Sequence, residues 1–220
     1  MRRASAVLLT IALAIGGAGA ALANDTGNGR VFPPSSEPRG RSYPEWFSAY
    51  MIWFQEVPAP VNPLVDPASA RNCEVHGPAV FLGAAGADCR VPEDKILVFS
   101  SVGWECSTAE GLGDTFRALR RCAVENFARD WGPDAVSIRL WIDGRRVPQP
   151  RRWTFVTPGE VVDFPENNIW GVAAGPSKSV TKGFFYALRP FDEGRHRIRF
   201  RVIAPDGGIF DIVWRLRVID

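Results

Sequence analysis

The chain has 220 residues with 26 basic and 24 acidic side chains, two histidines, four cysteines and 46% hydrophobic residues. That length is enough to bury one full core, and the near-balanced charge gives no global electrostatic drive towards nucleic acid. Only Lys95, Lys178 and Lys182 are lysines, and this arginine bias reads as a GC-rich bacterial genome.

Arg2 and Arg3 precede an uncharged apolar run over 4–23 that closes on Ala21-Leu22-Ala23. This is the pattern of a signal peptide cut before Asn24, which predicts a protein secreted or held in the periplasm or cell envelope, with no membrane span after processing. Losing Arg2 and Arg3 leaves basic and acidic residues in equal number. Residues 24–42 are Gly-, Pro- and Ser-rich and are expected to form a flexible leader to a single domain over 43–220.

Ser42, Pro44 and Glu45 make a capping box for a helix running to about Glu56, stopped by Pro58, with Trp46, Tyr50, Trp53 and Phe54 at helical spacing. Three prolines over 59–72 then force an extended path. Short strands are expected at 79–82 and 96–102, and a second helix over about 110–129 that buries Leu112, Phe116, Leu119, Ala123 and Phe127. After Gly132-Pro133 the pattern turns to β. Val136, Ile138, Leu140 and Ile142 alternate with polar neighbours up to the Asp143-Gly144 turn, and strands are expected at 152–156, 161–164, 183–189, 195–203 and 209–219. In the last hairpin Ile198, Phe200, Val202, Phe210, Ile212, Trp214, Leu216 and Val218 share the buried side. The fold class expected is mainly β, an antiparallel β-sandwich of Ig-like or jelly-roll type with two added α-helices.

Cys73, Cys89, Cys106 and Cys122 all follow the cleavage point, and in an oxidising compartment an even number reads as disulfides. Three pairings are open; Cys73–Cys89 with Cys106–Cys122 is favoured, since each closes a local loop. No two cysteines have zinc-ligand spacing, so neither a metal site nor a cofactor is expected.

The chemistry-bearing candidates fall into three groups. Asn62, Asp66, Glu74, His76 and Glu105 surround the Pro-rich segment and first disulfide; carboxylates near one histidine suit acid–base work or an oxygen-ligated cation, while the same residues before prolines serve as turn formers. Asn167, Asn168 and Trp170 form a polar-aromatic loop of the kind lectins use. Arg195, Arg197, Arg199 and Arg201 share one side of one strand, with Arg215 and Arg217 on the next. Such a stripe suits the phosphates or carboxylates of an anionic envelope polymer or acidic glycan, or keeps a hairpin from pairing with other chains. Lacking interleaved aromatics, it is not read as a nucleic-acid surface. Ser179-Val180-Thr181-Lys182 matches S-x-x-K, but before a strand and without K-T-G it is set aside.

The order Asn62-Pro63-x-x-Asp66-Pro67, Cys73, Gly77-x-x-Val80-Phe81-Leu82-Gly83, Cys89-x-Val91-Pro92-x-x-Lys95, Glu105-Cys106-Ser107 and Leu188-x-Pro190-Phe191-x-x-Gly194-x-His196 resembles a group of exported bacterial proteins of no established activity. The resemblance spans 43–220 and implies an Ig-like sandwich with an added helical part, without naming a substrate. The group carries Gln where His76 stands, so it implies no catalytic role for that imidazole. Three readings follow: a non-catalytic binding module of the envelope or extracellular space, which leads; a hydrolase or metal-dependent enzyme using Asp66, Glu105 and His76; and a structural or protein-interaction module.

Overall fold

The computed structural model describes residues 29–83 and 86–220. The signal segment over 1–23 lies outside the described residues. Residues 29–42, expected as part of a flexible leader, are packed: Val31 is buried and bridges to Leu188, and the Phe32 carbonyl accepts from Tyr43 Oη at 2.7 Å and Trp153 Nε1 at 2.8 Å. Those two aromatic donors need a buried partner, and the supposed leader supplies it.

Helix α1 (Tyr43–Gln55) starts where expected, with Ser42 N and Oγ both donating to the Glu45 carboxylate. Its far end is held by Asn62, whose amide donates to the carbonyls of Phe54 and Val57. Strands β1 (Glu74–His76), β2 (Ala79–Phe81), β3 (Asp88–Pro92) and β4 (Ile96–Ser107) follow. Helix α2 (Phe116–Trp131) begins later than residue 110, because Thr115 caps Ala118 N while Glu110 turns back to accept from Ser107 N and Oγ. Leu112 and Phe116, expected in the core, are therefore exposed; Leu119, Ala123 and Phe127 are buried as expected. Beyond lie β5 (Ser137–Ile142), β6 (Arg145–Val147), β7 (Thr154–Val156), β8 (Glu160–Phe164), β9 (Gly175–Leu188), β10 (Gly194–Ile203) and β11 (Ile209–Ile219).

These strands form two sheets, β1-β2-β4-β9-β7 with β8 also on β9, and β3-β11-β10-β5-β6. The pairing is mixed rather than antiparallel throughout. The chain leaves β2, crosses to the other sheet as β3 and returns as β4, so β2 and β4 run parallel, as do β3 and β11. The sheets face each other through Phe99 against Trp214 (4.7 Å between rings) and Tyr186 against Phe200 (6.0 Å). Alternation along β9 sends Phe184 and Tyr186 into that interface and Phe185 to the opposite face, where Phe47 of α1 stacks on it at 4.9 Å. The molecule is thus three layers: α1, the first sheet, the second sheet.

Both favoured disulfides are present, each joining residues 16 apart in sequence. Cys106–Cys122 ties α2 to β4 beside a small separate core of Leu119, Ala123 and Val180. That cluster holds few apolar residues, so the bridge is its main anchor. Replacing both cysteines by serine is expected to lower unfolding free energy by about 3 kcal/mol in urea titration. A smaller effect than roughly 1 kcal/mol would show that packing alone holds α2.

Candidate functional site

The three residues on which acid–base chemistry would depend do not converge. Asp66 lies in a turn, its carboxylate accepting from Ala68 N at 2.9 Å. His76 stacks on Phe81 (4.2 Å) and against Trp53, with Glu74 at 3.5 Å, and burial lowers its pKa. Glu105 sits on the distal part of β4, opposite Thr181. No hydrogen bond joins any two of the three, and among the described residues no group of three or more His, Cys, Asp or Glu side chains is placed to hold a metal ion. Asn62 is spent on the α1 terminus and Glu74 on Trp53 Nε1 and Arg71. Ser179 and Lys182 point to opposite faces of β9, Ser179 donating to Glu105 at 2.6 Å and Lys182 lying over the Phe127 ring, which removes the S-x-x-K pairing.

The Asn168 loop is built around one buried side chain. Asn168 is buried, donates to the carbonyls of Pro165 and Val172, and accepts from Trp170 N and Val172 N. All its hydrogen-bonding capacity is used inside the loop, which presents Trp170 against Phe54 and Phe164. Asn167 is exposed beside it, its carbonyl accepting from Ala59 N.

The arginine stripe is larger than the hairpin that suggested it. Period-two alternation puts the odd-numbered residues of β10 and β11 on the outer face of the second sheet, and register then fixes their neighbours. Arg195, Arg217 and Arg90 of β3 stand in one cross-strand row. The next row carries Arg197, Arg215 and Asp88, and beyond it Arg199 lies beside Trp141 of β5 and Arg146 of β6, then Arg201 beside Arg139. Arg199 and Arg201 share Asp211, whose carboxyl is held far below the ordinary range chiefly by Arg199, with Arg201 adding to it. Arg215 meets Asp88 at 3.3 Å with both side chains largely exposed, a weak pair. Asp143 is occupied by His196 Nδ1 (2.8 Å) and Arg197 N.

Among the described residues the guanidinium groups of Arg90, Arg195, Arg197 and Arg217 have no carboxylate within ion-pair distance. They border a shallow depression of about 600 Å³. Arg90, Arg139 and Arg146 were not in the expected stripe, and neither was Trp141, with Arg199 over its ring at 5.6 Å. The alternation of 136–142 marked Arg139 and Trp141 as outward, but only the strand order shows that they face the same way as the hairpin.

Glu105 belongs to a different place. Beneath α1, Ser179 Oγ donates to Glu105 and accepts from Gln55 Nε2 at 3.2 Å, and on neighbouring β8 Glu160 accepts from Ser48 Oγ at 3.1 Å. Burial first, and the Glu110 carboxyl next, raise the Glu105 pKa to about 9, and burial raises Glu160 to about 7. Glu105 is therefore a neutral acid at pH 7.

No protein-family model and no curated protein matches the sequence. Solved structures similar over about two thirds of the chain include the following three. They are the cysteine protease inhibitor EhICP2 from Entamoeba histolytica (9% identity, 64% of this chain and 94% of that one, TM-score 0.25), amebosin (8%, 64% and 96%, 0.24) and PbICP-C in complex with falcipain-2 (11%, 65% and 100%, 0.25). These TM-scores are too low to bear on what this chain does.

Proposed function

We propose that this chain is an exported, non-catalytic binding module whose arginine face docks on a linear anionic polymer of the cell envelope, each guanidinium fork taking a phosphate or carboxylate group. The observation that carries this reading is the row Arg195–Arg217–Arg90. Like charges directly opposite one another on neighbouring strands destabilise a sheet, and here three stand in register without a carboxylate to relieve them. Protection of a sheet edge accounts for Arg90 on the edge strand β3 but not for Arg195 and Arg217, because β10 and β11 are interior strands paired on both sides. An anionic chain laid across the face would supply the missing counter-charges, and planar forks accept phosphate or carboxylate bidentately. Export is supported by the signal-like segment and by two disulfides. No helix among the described residues is long and apolar enough to cross a membrane. The working unit is then one domain that begins before residue 43.

The test is binding of the mature, disulfide-bonded protein to inorganic polyphosphate and to polygalacturonate, with neutral dextran as control. Affinity is expected to fall steeply between about 50 and 200 mM salt. The triple variant Arg90→Ala, Arg195→Ala, Arg217→Ala is expected to lose roughly tenfold or more, whereas Arg199→Ala, already paired with Asp211, changes little. Equal binding by the triple variant, or equal binding to dextran, would end this reading.

A further inference from the structure

A cleft of about 420 Å³ opens on the other side of the molecule, where β4 bulges between Ser100 and Gly103. β2 covers β4 only over 96–98, so among the described residues the later part of β4 pairs with β9 alone. The walls are apolar: Tyr50 and Phe54 from the end of α1, Trp131 from the end of α2, Trp170 and Ile169 from the Asn168 loop, and Phe210 at the rim. Phe210 was expected in the core but is 48% exposed, and Leu64 beside the same cleft is 43% exposed. The four hydrogen bonds of Asn168 fix the Trp170 wall in place.

Polar atoms at the cleft lack partners. Thr181 (2% exposed) and Ser101 (7% exposed) have side-chain oxygens with no hydrogen bond, and Trp131 Nε1 has none either, while the second oxygen of Glu105 faces the Glu110 carboxyl. Buried polar groups are nearly always bonded, so three around one cleft point to a ligand placed among them. An indole N–H can only donate, and hydroxyls are able to. The group they suit is an acceptor. Glu110 beside Glu105 repels an anion, and a cation would require a charge on Glu105 where burial opposes one.

We infer that this cleft binds a small, uncharged, mainly apolar molecule bearing a single hydrogen-bond-accepting group such as an amide or ketone carbonyl. The volume lies in the range of small-molecule sites, and the mix of aromatic walls with a few convergent polar atoms is what such sites share. This site is independent of the arginine face, which lies on the second sheet's outer surface.

The experiment follows the Trp131 indole N–H signal in ¹⁵N-labelled mature protein, assigned with Trp131→Phe, during titration with four probes. Acetanilide carries a ring and one uncharged carbonyl; ethylbenzene lacks the acceptor, phenylacetate is anionic and phenethylamine cationic. Acetanilide is expected to move the signal saturably, with ethylbenzene weaker by roughly fivefold and the two ions weaker still. Thr181→Val, which keeps the shape and removes the hydroxyl, is expected to weaken acetanilide about three- to tenfold while polyphosphate binding stays unchanged. If that variant does not fold, Trp170→Ala takes its place, with a larger loss expected. An unmoved Trp131 signal, tighter binding of either ion, or full acetanilide affinity in the variant would overturn the inference.

Discussion

Replacing Trp214 with alanine is expected to cost about 3–5 kcal/mol of stability. Trp214 is fully buried on β11, packs its ring 4.7 Å from Phe99 across the sheet interface, and donates Nε1 to the Gly83 carbonyl at 2.8 Å. Truncation removes the transfer energy of a fully buried indole, leaves a cavity between close-packed sheets, and strips Gly83 of its donor. Trp214→Phe fills most of the volume but not the hydrogen bond, so it should cost less, about 1–2 kcal/mol. Urea unfolding of the disulfide-intact protein measures both. Similar losses for the two variants would mean that the indole hydrogen bond, not packing, dominates.

Stability should fall as pH rises above the ordinary carboxyl range, and Glu105→Gln should remove most of that fall. The carboxyl of Glu105 is raised in the folded state, so between about 4.5 and about 9 the folded protein holds a proton that the unfolded chain has lost. Stability therefore declines with pH across that window by up to about 1.4 kcal/mol per pH unit, and is fully present only below the unfolded value. Glu160 adds the same sign up to about 7. His76, whose pKa burial lowers, has the opposite sign below 6.5 and cancels when wild type and variant are compared. A Gln at 105 copies the protonated acid: its oxygen accepts from Ser179 and its amide faces Glu110. The variant should match wild type near pH 5 and exceed it by about 2 kcal/mol or more near pH 8. A variant less stable than wild type at pH 8 would show that the carboxyl is ionised in the fold.

Where local pattern decides structure, the sequence was legible. Residues 209–219 keep apolar side chains at every even position and form a strand with those bounds, and the Ser42–Glu45 signal places the start of α1 correctly. Strands of three residues such as β1 and β6 carry too few alternations to be seen. α2 was extended too far back because Leu112 and Phe116 continue its apolar period, while the competing Thr115 cap and the Ser107–Glu110 turn are equally local signals that won. For the site, four arginines on β10 and two on β11 were readable from parity alone. Arg90 was not, since it joins them only through a parallel pairing across more than a hundred residues. Glu105 was singled out for the wrong companions: its partners Ser179, Glu110 and Thr181 are set by β4–β9 register and by the turn after β4, which no spacing rule exposes.

The parallel contact of β3 with β11 also governs when the molecule can fold. Among the described residues β3 pairs with β11 alone, and the interior strand it needs spans residues 209–219. Until that stretch is delivered, β3 has nothing to link it to β10 and Phe99 lacks the Trp214 ring across the sheet interface. Closing such non-local contacts is slow, in the range of milliseconds to seconds for β-rich domains. A chain passing through a membrane from its N-terminus would thus stay open and threadable until nearly all of it had crossed, and the folding that follows would draw on the far side for its completion.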